Sequence, residues 1–256
     1  MISSLEYHIT DHCNLNCAGC SHFSPLAEHW FVDPEDFEKE WKEVADCGLK
    51  IKRIRILGGE PLLHPELGYM LKCIRCLFPD NDINVVTNGI LLKQKKEELL
   101  PIFIKNDISL TTSCYPGLNI DYREVLSGFP KVEMYNKAGF WNISLHDKAD
   151  YPKEAFYSCF SSSIAECNFL KDGRIYPCCV IPNLPHFFKY FDEAAAMDLA
   201  KIPIESAGIT VKDHTPEEIE KFLHTPNDFC AHCNVVRATV ARPWKRTKYD
   251  IKEWIE

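Results

Sequence analysis

Between residues 51 and 135 the chain alternates short β-rich runs with amphipathic helical stretches, and this rhythm restricts the possible folds more than any other feature. A strand over 51–57 ends in Gly58-Gly59-Glu60-Pro61 and leads to a helix near 66–78. A strand over 83–87 precedes Asn88-Gly89 and a helix over 93–105; a strand over 108–112 precedes a helix over 121–127 and a strand over 132–135. Residues 3–10 form an earlier strand, and Asp33 with Pro34 opens a helix whose apolar stripe of Phe37, Trp41, Val44 and Ala45 stops at Gly48. Residues 143–145 read as one more short strand. Repeated strand–helix units imply an α/β fold with parallel strands joined by right-handed crossovers, in a barrel or a doubly wound sheet. In both, ligands gather at the C-terminal strand ends, where these turns fall.

Thirteen cysteines are too many for a plain core. The count is odd and no secretory signal opens the sequence, so metal ligation explains them better than a disulfide framework. Cys13, Cys17 and Cys20 sit in a single loop after the first strand. Three thiolates on a [4Fe–4S] cluster leave one iron open to an outside ligand, whereas a structural zinc site closes with four, with His12 or His22 available as the fourth. A Cys-x3-Cys-x2-Cys loop followed one βα unit later by Gly-Gly-Glu-Pro resembles the radical S-adenosylmethionine (SAM) superfamily over residues 3–145. The resemblance implies a partial (β/α)6 TIM-like barrel in which Cys13, Cys17 and Cys20 hold a [4Fe–4S] cluster. The open iron would chelate SAM and one electron would cleave it to a 5′-deoxyadenosyl radical. It also implies that Gly58, Gly59, Glu60 and Pro61 meet the methionine end of SAM, and that Thr87, Asn88, Ser109 and Thr111 meet its ribose or carboxylate. Gly19 departs from the family, which often has an aromatic residue before the third cysteine.

The strand–helix rhythm ends near residue 150. A β-hairpin over 164–176 turns at Lys171-Asp172-Gly173 and leads to Pro177-Cys178-Cys179; a loop-rich stretch, a helix over 216–223 capped by Thr215, and Cys230-Ala231-His232-Cys233 follow. Cys159, Cys178, Cys230 and Cys233, with Gly173 ahead of Cys178, resemble a twitch module, the short relative of the SPASM domain. That resemblance implies an auxiliary [4Fe–4S] cluster in a small C-terminal β-hairpin and helix module. Cys167 and Cys179 are alternative ligands, although neighbouring strand residues face opposite ways and only one of Cys178 and Cys179 should reach the cluster. The organisation expected is a radical SAM barrel over 1–150, a twitch-type module over 151–240 and a tail over 241–256. Cys73 and Cys76 read as small buried hydrophobes of an apolar helix.

A net charge of −8 opposes a broad nucleic-acid footprint, no apolar run approaches membrane-spanning length, and the protein is expected in the cytoplasm. The basic run over 242–248 reads as a solvated tail. Arg53 and Arg55 share a strand face and read as salt-bridged, or as entering a polar lumen. His22, Tyr115 and His146 stand near strand ends without an assigned role, and no catalytic base is named. A radical SAM barrel with a twitch cluster is similar to the 2-deoxy-scyllo-inosamine dehydrogenases. This implies oxidation of a small polar substrate such as a sugar or cyclitol alcohol, with the auxiliary cluster accepting an electron and flavodoxin or ferredoxin as donor. Peptide modification and sugar epimerisation are the alternatives within the family. A non-catalytic zinc or iron–sulfur protein serving interaction or electron transfer is the alternative outside it.

Overall fold

The computed structural model describes residues 1–140, 144–235 and 242–256. Nine of its ten strands are β1 (Ile2–His8), β2 (Ile51–Leu57), β3 (Asp82–Thr87), β4 (Ile108–Cys114), β5 (Val132–Asn136), β6 (Gly139–Phe140), β7 (Cys167–Lys171), β8 (Arg174–Tyr176) and β9 (Ile209–Thr210), and β10 (Arg242–Pro243) pairs with β6. The helices are α1 (Pro34–Cys47), α2 (Leu67–Leu77), α3 (Leu92–Lys105), α4 (Tyr122–Leu126), α5 (Val180–Tyr190) and α6 (Pro216–Leu223). The main sheet has eight strands in the order β5-β4-β3-β2-β1-β7-β8-β9. Strands β1 to β5 and β7 run parallel, while β8 and β9 are antiparallel additions. The fold is therefore α/β with a mostly parallel sheet, the partial-barrel architecture expected, and the hairpin extends the sheet from the free edge of β1.

Side-chain alternation sorts the sheet into two faces. One buries Tyr7, Ile54, Ile56, Ile83, Val85, Ile108 and Leu110 against Phe37, Trp41, Leu71, Ile74 and Phe103 of α1, α2 and α3. The other is polar: Glu6, Arg55, Asn84 and Ser109 lie in one cross-strand row, and Arg53 pairs in register with Asp82. Arg53 bonds Asp82 and Glu133, and Arg55 bonds Glu6 at 2.6 Å, so both arginines enter the polar face and both are salt-bridged. Beyond β1 this inner side becomes apolar again, where Phe169, Tyr176, Leu184, Phe187 and the fully buried Trp254 form a second core.

Local chemistry explains the boundaries. Asp33 accepts a hydrogen bond from Glu35 N to start α1, and Gly48 ends it at φ +74°, where other residues are strained. Thr215 and Glu218 close a capping box on α6. Two segments differ from expectation. Residues 160–164 form a π-helical turn rather than the start of the hairpin strand, and α5 replaces the expected loop. Its Pro182 falls in the first turn, where no N–H is required, while Pro185 lies inside the helix. Burial of Val180, Ile181, Leu184 and Phe187 in the second core compensates for that break. The expected strand at 143–145 begins outside the described residues; Leu145 makes isolated bridges to Cys233 and Ile255. Cys73 packs against the core but Cys76 is exposed, because the helix turns it outward. Among the described residues no helix is long and apolar enough to cross a membrane.

Candidate functional site

The loop after β1 carries Cys13, Cys17 and Cys20 to the C-terminal ends of β1 to β4. There the three cysteines, Gly58, Gly59, Thr87, Asn88, Ser113 and Tyr115 line one cavity of about 140 Å³. The Gly-Gly-Glu segment is tied directly to the loop: Gly59 N donates to Thr10 O at 2.8 Å and Glu60 N to His12 O at 3.1 Å. A Cβ on Gly58 would lie 2.3 Å from Thr10 O, and one on Gly59 would lie 2.1 Å from His12 O. The glycines are thus required for the close approach of this backbone to the cysteine loop, before any ligand is considered.

Glu60 is fully buried, and its carboxylate accepts hydrogen bonds from Leu62 N, Thr87 Oγ1 and Asn88 N. Burial pushes its pKa up to about 7 against these donors. The carboxylate therefore braces the Thr87-Asn88-Gly89 turn through backbone and hydroxyl donors. Pro61 opens the next turn and is buried. Thr87 is consumed by the same brace, since its hydroxyl also accepts from Gly89 N. Asn88 reaches the loop, donating to Asn14 Oδ1 at 2.7 Å and to Cys13 Sγ at 3.6 Å. Ser109 and Thr111 are not brought to the cavity. They lie deeper on the polar face, Ser109 bonded to Asn84 and Asp82 and Thr111 to Asn84 and Glu133. Ser113, two residues nearer the strand end, takes their place in the cavity wall.

Two features of the loop explain residues that the sequence left open. Gly19 has φ +63°, a left-handed conformation that costs glycine nothing and a large aromatic residue much more. The basic side chains over 242–248 are exposed, as expected, but the backbone is tied to the loop: Ala18 N donates to Lys245 O and Thr247 N to Asn16 O, and Cys17 and Arg246 form an antiparallel bridge. Trp244 Nε1 donates to Cys17 Sγ at 3.1 Å, its ring packs on Tyr115 with centroids 5.3 Å apart, and Trp254 Nε1 donates to Cys20 O.

Burial raises the pKa of all three loop thiols, Cys17 to about 12, with hydrogen bonds from Trp244 and Tyr115 pulling Cys17 back. The N–H···S bonds suit a metal–sulfur centre. The three sulfurs do not converge within 4.8 Å of one another. Ligands of one tetrahedral zinc, with Zn–S of about 2.3 Å, would stand roughly 3.8 Å apart. The spread suits a multi-iron cluster better than a single ion.

In the second set, Cys178 interacts electrostatically with Cys159 and Cys230, and Cys233 with Cys178, Cys230 and Cys159; burial raises Cys178 to about 12 and Cys233 well above the ordinary thiol value. Cys167 and Cys179 interact with Glu6 and also with Cys178. Of the residues near strand ends, His22 lines the cavity and bonds His8, whereas His146 sits with Lys148 and Asp150 away from it.

Residues 7–124 match the model of the Radical SAM superfamily. Proteins of that family use a [4Fe–4S] cluster and SAM, and the three loop thiols, the open cavity and the donors to sulfur fit those groups. The GTP 3′,8-cyclase of Aquifex aeolicus is 32% identical over 119 residues, 45% of this chain and 37% of that protein. The GTP 3′,8-cyclase of Clostridium perfringens is 35% identical over 115 residues, 43% of this chain and 35% of that protein. The matched stretch of the chain thus spans little more than a third of the length of these curated relatives. The structure of BtrN in complex with AdoMet and 2-DOIA shares the fold, with a TM-score of 0.58 at 17% identity over 91% of this chain and 93% of that one.

Proposed function

We propose that the protein is a radical SAM enzyme that cleaves SAM at Cys13, Cys17 and Cys20, abstracts hydrogen from a small polar substrate, and oxidises it with a second cluster at Cys159, Cys178, Cys230 and Cys233 as electron acceptor. The observation that carries this reading is that one cavity is lined by the three loop cysteines, the Gly-Gly turn and Asn88; charge interactions among Cys159, Cys178, Cys230 and Cys233 support the second cluster. When bound, the cluster and SAM together supply a 5′-deoxyadenosyl radical by one-electron cleavage of the C5′–S bond. The chain's own residues hold that chemistry in place. Asn88 and Trp244 donate to Cys13 and Cys17, and the strap over 242–248 hydrogen-bonds to the loop backbone. The polar face, with Arg53 and Arg55 neutralised by carboxylates, offers hydrogen bonding to a hydroxylated substrate. An alcohol that has lost a hydrogen atom and a proton has one more electron to give up, and a closed four-thiolate cluster is suited to take it.

The similarity to GTP 3′,8-cyclases covers 45% of the chain, and the fold likeness to the BtrN complex covers 91% of it. Both support a small-molecule substrate, and a flavodoxin or ferredoxin would be the source of electrons in this proposal. The test is iron and acid-labile sulfide in anaerobically reconstituted protein. Wild type should carry iron for two clusters, and Cys159→Ala with Cys178→Ala should remove half of it while SAM cleavage survives. Protein that binds zinc and no sulfide would sink the reading.

A further inference from the structure

One cluster of donors belongs to neither cysteine set. Among the described residues, Glu6 of β1, His22 of the cysteine loop and Cys179 at the start of α5 bring one ligand atom each within 4.8 Å of one another. Glu6 is 3% exposed and Cys179 5%, so carboxylate, imidazole and thiol converge out of bulk water. Oxygen, nitrogen and sulfur in one set suit a borderline divalent ion such as zinc.

The surrounding hydrogen bonds orient these groups toward a common point. The Asp11 carboxylate can only accept, so at 2.9 Å it takes the proton on His8 Nδ1, which leaves His8 Nε2 with a lone pair. His22 Nδ1 lies 3.2 Å from that nitrogen and 3.3 Å from Gly58 O, two acceptors, and therefore carries the hydrogen. The lone pair of His22 then sits on Nε2. A carboxylate acting through a ring N–H to fix the free nitrogen is the outer arrangement that metal-binding histidines use. Glu6 is held likewise, by Arg55 at 2.6 Å and by the Cys167 thiol.

We propose that Glu6, His22 and Cys179 form a third metal site, for a zinc-class divalent cation, with its fourth position open. Three protein ligands are the pattern of sites that keep a place for water or a substrate oxygen. His22 also lines the cavity above the cysteine loop, so the ion would stand in the wall of that cavity. The proposal does not depend on either cluster being catalytic.

The probe is zinc itself, added to the anaerobically reconstituted full chain and followed by elemental analysis and zinc-edge X-ray absorption. After dialysis the wild type should retain one zinc per chain with a single sulfur ligand at about 2.3 Å and lighter ligands at about 2.0–2.1 Å. Cys179→Ser should lose the sulfur, and His22→Gln should weaken retention at least tenfold, both with iron and sulfide unchanged. His8→Phe should weaken it by about 10–100-fold through the outer shell alone. No retained zinc, equal retention in Cys179→Ser and His22→Gln, or two or more sulfurs around zinc would overturn the site. If Cys179→Ser loses its iron and sulfide, the sulfur count in wild type decides the matter alone.

Discussion

Glu60 shows how a motif residue can serve the fold and the site together. Its folded pKa of about 7 stands above the ordinary 4.5 because burial disfavours the charge. A carboxylate raised in this way contributes stability that is fully present below pH 4.5 and is lost as pH rises through 7, up to about 3 kcal/mol at 1.36 kcal/mol per unit. The stability of wild type relative to Glu60→Gln should therefore fall between pH 4.5 and 7, measured by denaturant unfolding; a difference that stays constant with pH would contradict it. Trp244 acts on the cluster side. Trp244→Phe removes the N–H from Cys17 Sγ while keeping the ring on Tyr115, and should make the cluster's reduction potential more negative without loss of iron. At this scale the gathering of Cys13, Cys17, Cys20 and Asn88 at one strand-end cavity was legible in the sequence, because loop spacing and strand-end position fix it. Ser109 and Thr111 were not, since counting back from a strand end by two residues moves a side chain one full layer down the same face.

The secondary elements were read well wherever local signals were strong. β2 and α6 coincide with the expected ranges because apolar runs, caps and stop residues all agree. α5 failed that reading because two prolines argued against a helix that tertiary burial then stabilised. The C-terminal strap failed it for a related reason: its bonds to Asn16 and Ala18 are backbone bonds with no sequence signature. Truncation after residue 241 should strip these contacts and the buried Trp254, and the protein should lose iron from the loop cysteines several times faster under chelator challenge. Arg75 has a purely structural role at the end of α2. Its guanidinium donates to the carbonyls of Phe78, Pro79, Asn81, Asn106 and Asp107, and Arg75→Ala should cost about 2–4 kcal/mol in denaturant unfolding, leaving those acceptors unpaired.

On the scale of the whole molecule, β1 is the organising element. It leads into the cysteine loop, pairs with β2 on one side and with β7 of the hairpin on the other, and so joins both cysteine sets through a single strand. A count of strand–helix units could reveal the barrel, but not that the hairpin would add to its first strand, because long-range pairing leaves no mark on local periodicity. The account rests on the loop cysteines opening a SAM-cleaving site. Reduced, reconstituted protein incubated with SAM should release 5′-deoxyadenosine and methionine in equal amounts, and Cys17→Ala should release neither; intact iron and sulfide with no 5′-deoxyadenosine would contradict the account.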